Sequence, residues 1–154
     1  MANELNTIGV KLNWVCETTA GSRPTSGVHN IPGIKSIPGF DLVPNQLPVT
    51  DLSDDTERFI DGVKTIGGEK TITANHTTSL RTAWASLVTA AESARTAGKA
   101  TWFEIEIPNE DSFWFSGMPT KQGLSDLNVD SVIDATLHIV PNKIVGFAAK
   151  HTGT

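Results

Sequence analysis

Residues 80–97 carry apolar side chains at three- and four-residue steps: Leu80, Ala83, Trp84, Leu87, Val88, Ala91 and Ala94, with Arg81, Ser86, Glu92 and Arg95 off the stripe. That spacing places the apolar set on one face of a helix. Thr77, Thr78 and Ser79 precede the stripe as N-cap candidates, and Gly98 follows it as a C-cap. A helix is therefore expected over about 79–97. Every other periodic stretch has a period of two. One amphipathic helix among strands must lay its stripe across a sheet face, with Trp84 as the main anchor. The expected fold class is mainly β (α+β): an antiparallel β-sandwich or partly open β-barrel with one flanking helix.

The strands follow from alternation. Residues 11–17 put Leu12, Trp14 and Cys16 on one face and Lys11, Asn13 and Glu17 on the other. Residues 18–30, rich in Gly, Pro, Ser and Thr, read as a surface loop. The Pro-Gly pairs at 32–33 and 38–39 imply short, edge-like strands or bulges. Strands are expected at 47–52 and 69–75, and two closing strands at 131–140 and 144–148. Residues 101–107 and 112–117 form a hairpin that keeps Phe103, Ile105 and Ile107 on the face of Phe113, Phe115 and Gly117. A three-residue turn, Asn109-Glu110-Asp111, would pair Ile107 with Phe113 and Ile105 with Phe115. The other face carries Trp102, Glu104, Glu106 and Trp114, and is expected to be a lumen face or second contact surface.

Between two of these strands, residues 51–68 are acidic, glycine-containing and aperiodic, with Phe59 and Ile60 as an apolar island. So long an unstructured connection is uncommon in a compact domain and is usually functional or disordered. Leu52, Phe59, Ile60, Val63 and Ile66 are too many anchors for a plain linker. The segment reads as an arm needing a partner surface, with Asp54, Asp55, Glu57, Arg58, Phe59, Ile60 and Val63 as its contact residues. Residues 1–10 read as a second, loosely held arm.

Composition narrows the function classes. Twelve Lys and Arg against 17 Asp and Glu give a net charge of −5, which disfavours phosphate-backbone binding. There is no apolar run long enough for a transmembrane helix. The N-terminus lacks the basic start and apolar centre of a signal peptide. Cys16, the single cysteine, allows no intrachain disulfide and reads as a small buried hydrophobe. The sequon at Asn75 carries little weight without a secretion signal. Asp51, Asp54, Asp55 and Glu57 lack the ligand alternation and central glycine of a calcium loop. The four histidines are scattered, Gly67-Gly68 precedes no Lys-Ser or Lys-Thr, and Ser116 lies in no nucleophile elbow. Glu104 and Glu106 share one side of one strand, whereas glycoside hydrolysis needs carboxylates on opposite sides of a sugar. No catalytic, metal or cofactor residues are assigned.

The runs IKSIPGFDL, PVTDLSDDTERFIDGVKTIGGEKTITAN, WFEIEIPNEDSFWFSGMPT and TLHIVPNK, ordered around the single helix, resemble the major tail tube protein of long-tailed, non-contractile bacteriophages. The likeness covers about residues 34–145, and that family is similar in fold to the inner-tube proteins of contractile tails and type VI secretion. It implies one tube domain over residues 1–154, self-assembled into stacked rings, usually hexameric. It implies a tape-measure protein inside, terminator and distal tail or baseplate proteins at the ends, and DNA passing through without specific binding. It places the protein in the virion, assembled in the host bacterial cytoplasm, and makes residues 51–68 the link to a neighbouring subunit or ring. Because the sequence stops soon after its last strand, no additional immunoglobulin-like domain is expected. The rival readings are a carbohydrate-binding β-sandwich stacking sugars on Trp102 and Trp114 and, ranked last, a hydrolase using Glu104 or Glu106.

Overall fold

A computed structural model describes residues 8–40, 43–65, 68–124 and 126–152, with the side chains of residues 43 and 63–65 also outside the description. Most of the expected N-terminal arm (residues 1–7) and the anchor Ile66 fall outside these residues. The chain runs β1 (Lys11–Cys16), β2 (His29–Ile31), β3 (Ile34–Ser36), β4 (Val43–Pro48), β5 (Phe59–Thr65), β6 (Lys70–Asn75), α1 (Thr78–Thr96), β7 (Thr101–Glu106), β8 (Ser112–Pro119), β9 (Gly123–Leu124) and β10 (Asp134–Ala148). Eight strands form one antiparallel sheet in the order β2-β1-β7-β8-β10-β6-β3, with β9 also beside β10. The sheet curls into a half-barrel. The end strands β2 and β3 are three residues each, which shortens the exposed ladder at the edges.

The helix forms where the apolar stripe placed it. Thr77 caps it by accepting the Leu80 N–H through Oγ1 at 3.1 Å. At the other end Gly98 adopts φ +75°, while Lys99 N–H donates to Ala94 O and Gly98 N–H to Arg95 O. This paired Schellman closure satisfies the last carbonyls. Leu80, Trp84, Leu87, Ala91 and Ala94 are buried. The main core joins Leu80, Trp84 and Leu87 to Leu12, Ile72, Phe103, Phe115, Leu137 and Ile139. Trp84 keeps its indole N–H satisfied by donating to Thr120 O at 2.7 Å.

The opposite face of the same strands is also buried, which alternation had assigned to a surface. Val15, Trp102 and Trp114 form a second core. Glu104 is 0% exposed with Asn13 buried beside it, and Glu17 is buried against Trp102. The cover comes from the chain itself: the loop after β1, whose Arg23 guanidinium lies 4.5 Å from the Trp114 ring centre, and the segment after β10, whose Ala149 O accepts the Trp114 indole N–H at 3.1 Å. Cys16 is half-buried rather than buried, its sulfur 3.6 Å from Thr101 Oγ1.

Three local expectations are corrected. In the β7–β8 hairpin Ile105 pairs with Phe113 and Phe103 with Phe115, so the turn spans the five residues 107–111 rather than three. The faces are preserved because the offset is even. Pro108 has no N–H to give the ladder, which ends the strand at Glu106, and Asn109 takes the left-handed position at φ 60°. The two closing strands are one continuous β10 that shifts register between Pro141 and Lys143. Opposite this bulge, Gly117 leaves room that a Cβ would lack, 2.8 Å from Val140 O. Finally, residues 51–68 are not unstructured throughout: Phe59–Thr65 is β5, hydrogen-bonded to β4 in a separate two-stranded sheet. Neither face of this ribbon has to meet the chain's own core, so it shows no period-two signal.

Candidate assembly surface

The β4–β5 ribbon is built as a projecting arm. Among the described residues its strands pair with each other and with no strand of the main sheet. Gly62 and Val63 together oppose Asn45, and a Cβ on Gly62 would sit 3.0 Å from Asn45 O. Glycine thus lets the two strands approach closely at the bulge, which increases the ribbon's twist. Beyond Pro48 and Phe59 the ladder continues through Val49 N–H to Arg58 O at 2.9 Å, and Arg58 N–H donates to Thr50 Oγ1 at 2.8 Å.

The tip, residues 50–57, is fixed by its own charges. Arg58 Nε donates to Asp54 Oδ2 at 2.9 Å, and the Asp51 N–H donates to the same oxygen at 2.9 Å. The Ser53 hydroxyl and N–H donate to Asp51 Oδ1, and these bonds hold the Asp51 carboxyl below its ordinary range. Asp51 and Asp54 are therefore tied to Ser53 and Arg58, and Asp51, Asp55 and Glu57 are exposed. Apolar side chains stand exposed around them: Leu52 fully, and Phe59 and Ile60 at 49% and 52%. An ordered ribbon holding large apolar groups in water marks an interaction surface. The structure places Asp54, Asp55, Glu57, Arg58, Phe59 and Ile60 together on this arm; the Val63 side chain lies outside the described residues.

The second predicted surface is corrected. Trp102, Trp114 and Glu104 are enclosed by the chain, and only Glu106, half-buried, borders solvent. Trp102 donates its indole N–H to Glu17 Oε2 at 2.9 Å. Glu104 accepts from Asn13 Nδ2 at 2.9 Å and from the His151 backbone N–H and Nδ1–H at 3.1 and 2.7 Å. Burial by itself would raise the Glu104 carboxyl; the bonds from Asn13 and His151 outweigh it and hold the group below the usual carboxylate range. Glu17 behaves alike: burial opposes the charge, and donors from Ala100, Trp102 and Gly21 prevail. These residues hold the fold together, and no sugar can stack on the two indoles. Two tryptophans at alternate positions of a hairpin were the available signal for a second core.

Sequence reasoning also missed an open groove of about 630 Å³ beside β3, lined by Ile34, Ile37, Phe40, Ile107, Phe113 and Phe147 among others. Its residues come from five separate stretches of chain, so no local pattern announces it.

No known protein family matches the sequence, and no curated protein matches it. The fold nevertheless defines a class: the chain has the tail tube fold, shared with tube and baseplate proteins of phage-like particles. A chain of the anti-feeding prophage baseplate, determined with six-fold symmetrisation, superposes with a TM-score of 0.65 at 10% identity, covering 97% of this chain and 99% of that one. A chain from the tail of an empty gene transfer agent particle, determined with C6 symmetry, gives 0.60 at 13% identity over 95% and 100%. The SPP1 tail tube protein gives 0.51 at 14% identity over 93% and 78%.

Proposed function

We propose that this chain is a structural subunit of a phage tail tube. Copies close into rings, six to a ring, and the rings stack into a tube that surrounds a tape-measure protein and later conducts DNA. Terminator and distal tail or baseplate proteins bind its ends, and the subunit, assembled in the host cytoplasm, resides in the virion tail. The role requires no catalytic group. The observation that carries this reading is the β4–β5 arm: an ordered ribbon, outside the main sheet, presenting Leu52, Phe59 and Ile60 to solvent. The six-fold particles that share the fold support the ring, and head-to-tail contacts between copies close such a ring by rotation. A net charge of −5 suits a conduit that must not retain a polyanion.

The test is negative-stain electron microscopy of purified protein at high concentration, with size-exclusion chromatography alongside. Rings or tubes of uniform diameter are expected. Strictly monomeric protein at every concentration, including in the presence of preformed tail fragments as seeds, would overturn the reading.

A further inference from the structure

We propose that the groove beside β3 is the acceptor for the arm of a second copy, so that Leu52, Phe59 and Ile60 of one chain enter the space lined by Ile34, Ile37, Phe40 and Phe147 of the next. This inference rests on the assembly reading and names the surface that the arm grips.

The groove is preformed. An aromatic file runs from the core outward: Phe103 to Phe115 at 5.3 Å, Phe115 to Phe40 at 4.5 Å, Phe40 to Phe113 at 5.5 Å, and Phe113 to Phe147 at 5.4 Å between ring centres. Its outermost member, Phe147, is 62% exposed. A floor of rings already packed on one another lowers the ordering cost of binding. At about 630 Å³ the space is the size of a site that takes several apolar groups.

Charge and chain path select the occupant. Among the described lining residues the single charged group is Lys35, paired with Asp134 at 3.1 Å, and the Lys70 Nζ sits over the Phe40 ring at 5.2 Å. Residues 49–62 of the arm carry five carboxylates against Arg58. Asp134 already balances Lys35, so the positive charge on the groove's border is Lys70; an acidic, apolar tip meets an apolar groove with that lysine at its side, and such complementarity sets register between partners. The two features also sit at opposite ends of one stretch of chain. Residues 34–40 wall the groove, and β4, six residues or roughly 20 Å of strand, follows them in the chain and ends at the tip. No described tip residue lines the groove of its own chain. A donor at one end and an acceptor at the other is a heterologous interface, which repeats from copy to copy.

Cysteine cross-linking tests this directly. In a Cys16→Ser background, protein carrying Leu52→Cys is mixed before assembly with protein carrying Ile37→Cys, and assemblies are oxidised and run without reductant. A disulfide-linked dimer containing one of each is expected, with none when Val129→Cys replaces Ile37→Cys. Separately, Phe147→Asp should raise the concentration needed for assembly about tenfold or more, the equivalent of losing one buried aromatic contact. If that variant fails to fold, the cross-link alone decides. Tubes that form without the specific cross-link would overturn the groove as acceptor and leave the tube reading standing. Absence of rings and tubes from the parent protein would overturn both.

Discussion

At the scale of single residues, the decisive side chains are the buried polar ones. Glu104 and Glu17 remain ionised inside the second core because donors are aimed at them, and a buried carboxylate without such donors would be costly. Both native carboxyls titrate below their unfolded values. The sign follows: the ionised pair contributes its stability in full above about pH 4.3, the ordinary Glu value, and loses it as pH falls through the lowered native values. Urea midpoints measured from pH 6 downward should therefore hold steady and then drop below about pH 4.3, and Glu104→Gln should start lower and fall less steeply. None of this was legible in the sequence. Asn13 on β1 and Glu17 just past its end share a face that looks wet, and only the fold reveals their partners 91 and 85 residues away.

At the scale of elements, legibility tracks whether an element buries one face. The helix was readable to within a residue or so because its stripe and both caps are local. Its C-terminus offers a clean check: nothing lies within 4 Å of a Cβ added at Gly98, so Gly98→Ala should cost only the left-handed backbone penalty, about 1–2 kcal/mol by chemical denaturation. The arm was half-readable. Its composition announced a partner-seeking segment, yet β5 stayed hidden because a ribbon solvated on both sides has no reason to alternate. Since β4 and β5 pair only with each other among the described strands, replacing residues 44–64 by a short Gly-Ser linker should leave cooperative melting intact and abolish assembly. Loss of the melting transition would instead make the arm part of the core.

At the scale of the whole molecule, the half-barrel is closed on its second face by pieces remote in sequence. Trp114 donates to Ala149 O, His151 donates to Glu104, and the Thr152 N–H donates to Thr25 O at 2.6 Å, so the segment after β10 seals Trp114 against the loop after β1. Removing residues 149–154 should make tryptophan fluorescence more accessible to acrylamide. It should also lower the melting temperature by roughly 10–20 °C, at about 1 kcal/mol for each of the five hydrogen bonds lost and about 2–4 °C per kcal/mol. Unchanged quenching would show that the second core does not depend on this cover. The sequence by itself determined the mainly β class, the single helix with its caps, the face shared by Phe103 and Phe115, and the existence of an acidic, apolar arm. Each is written in nearest-neighbour periodicity or in a short run of residues. Only the tertiary structure decided that Trp102, Glu104 and Trp114 are core, that the arm is an ordered ribbon, and that Phe147 ends an aromatic file at an open groove. Those outcomes depend on which distant strands become neighbours, and a strand's alternation says that it has two faces without saying what will cover either.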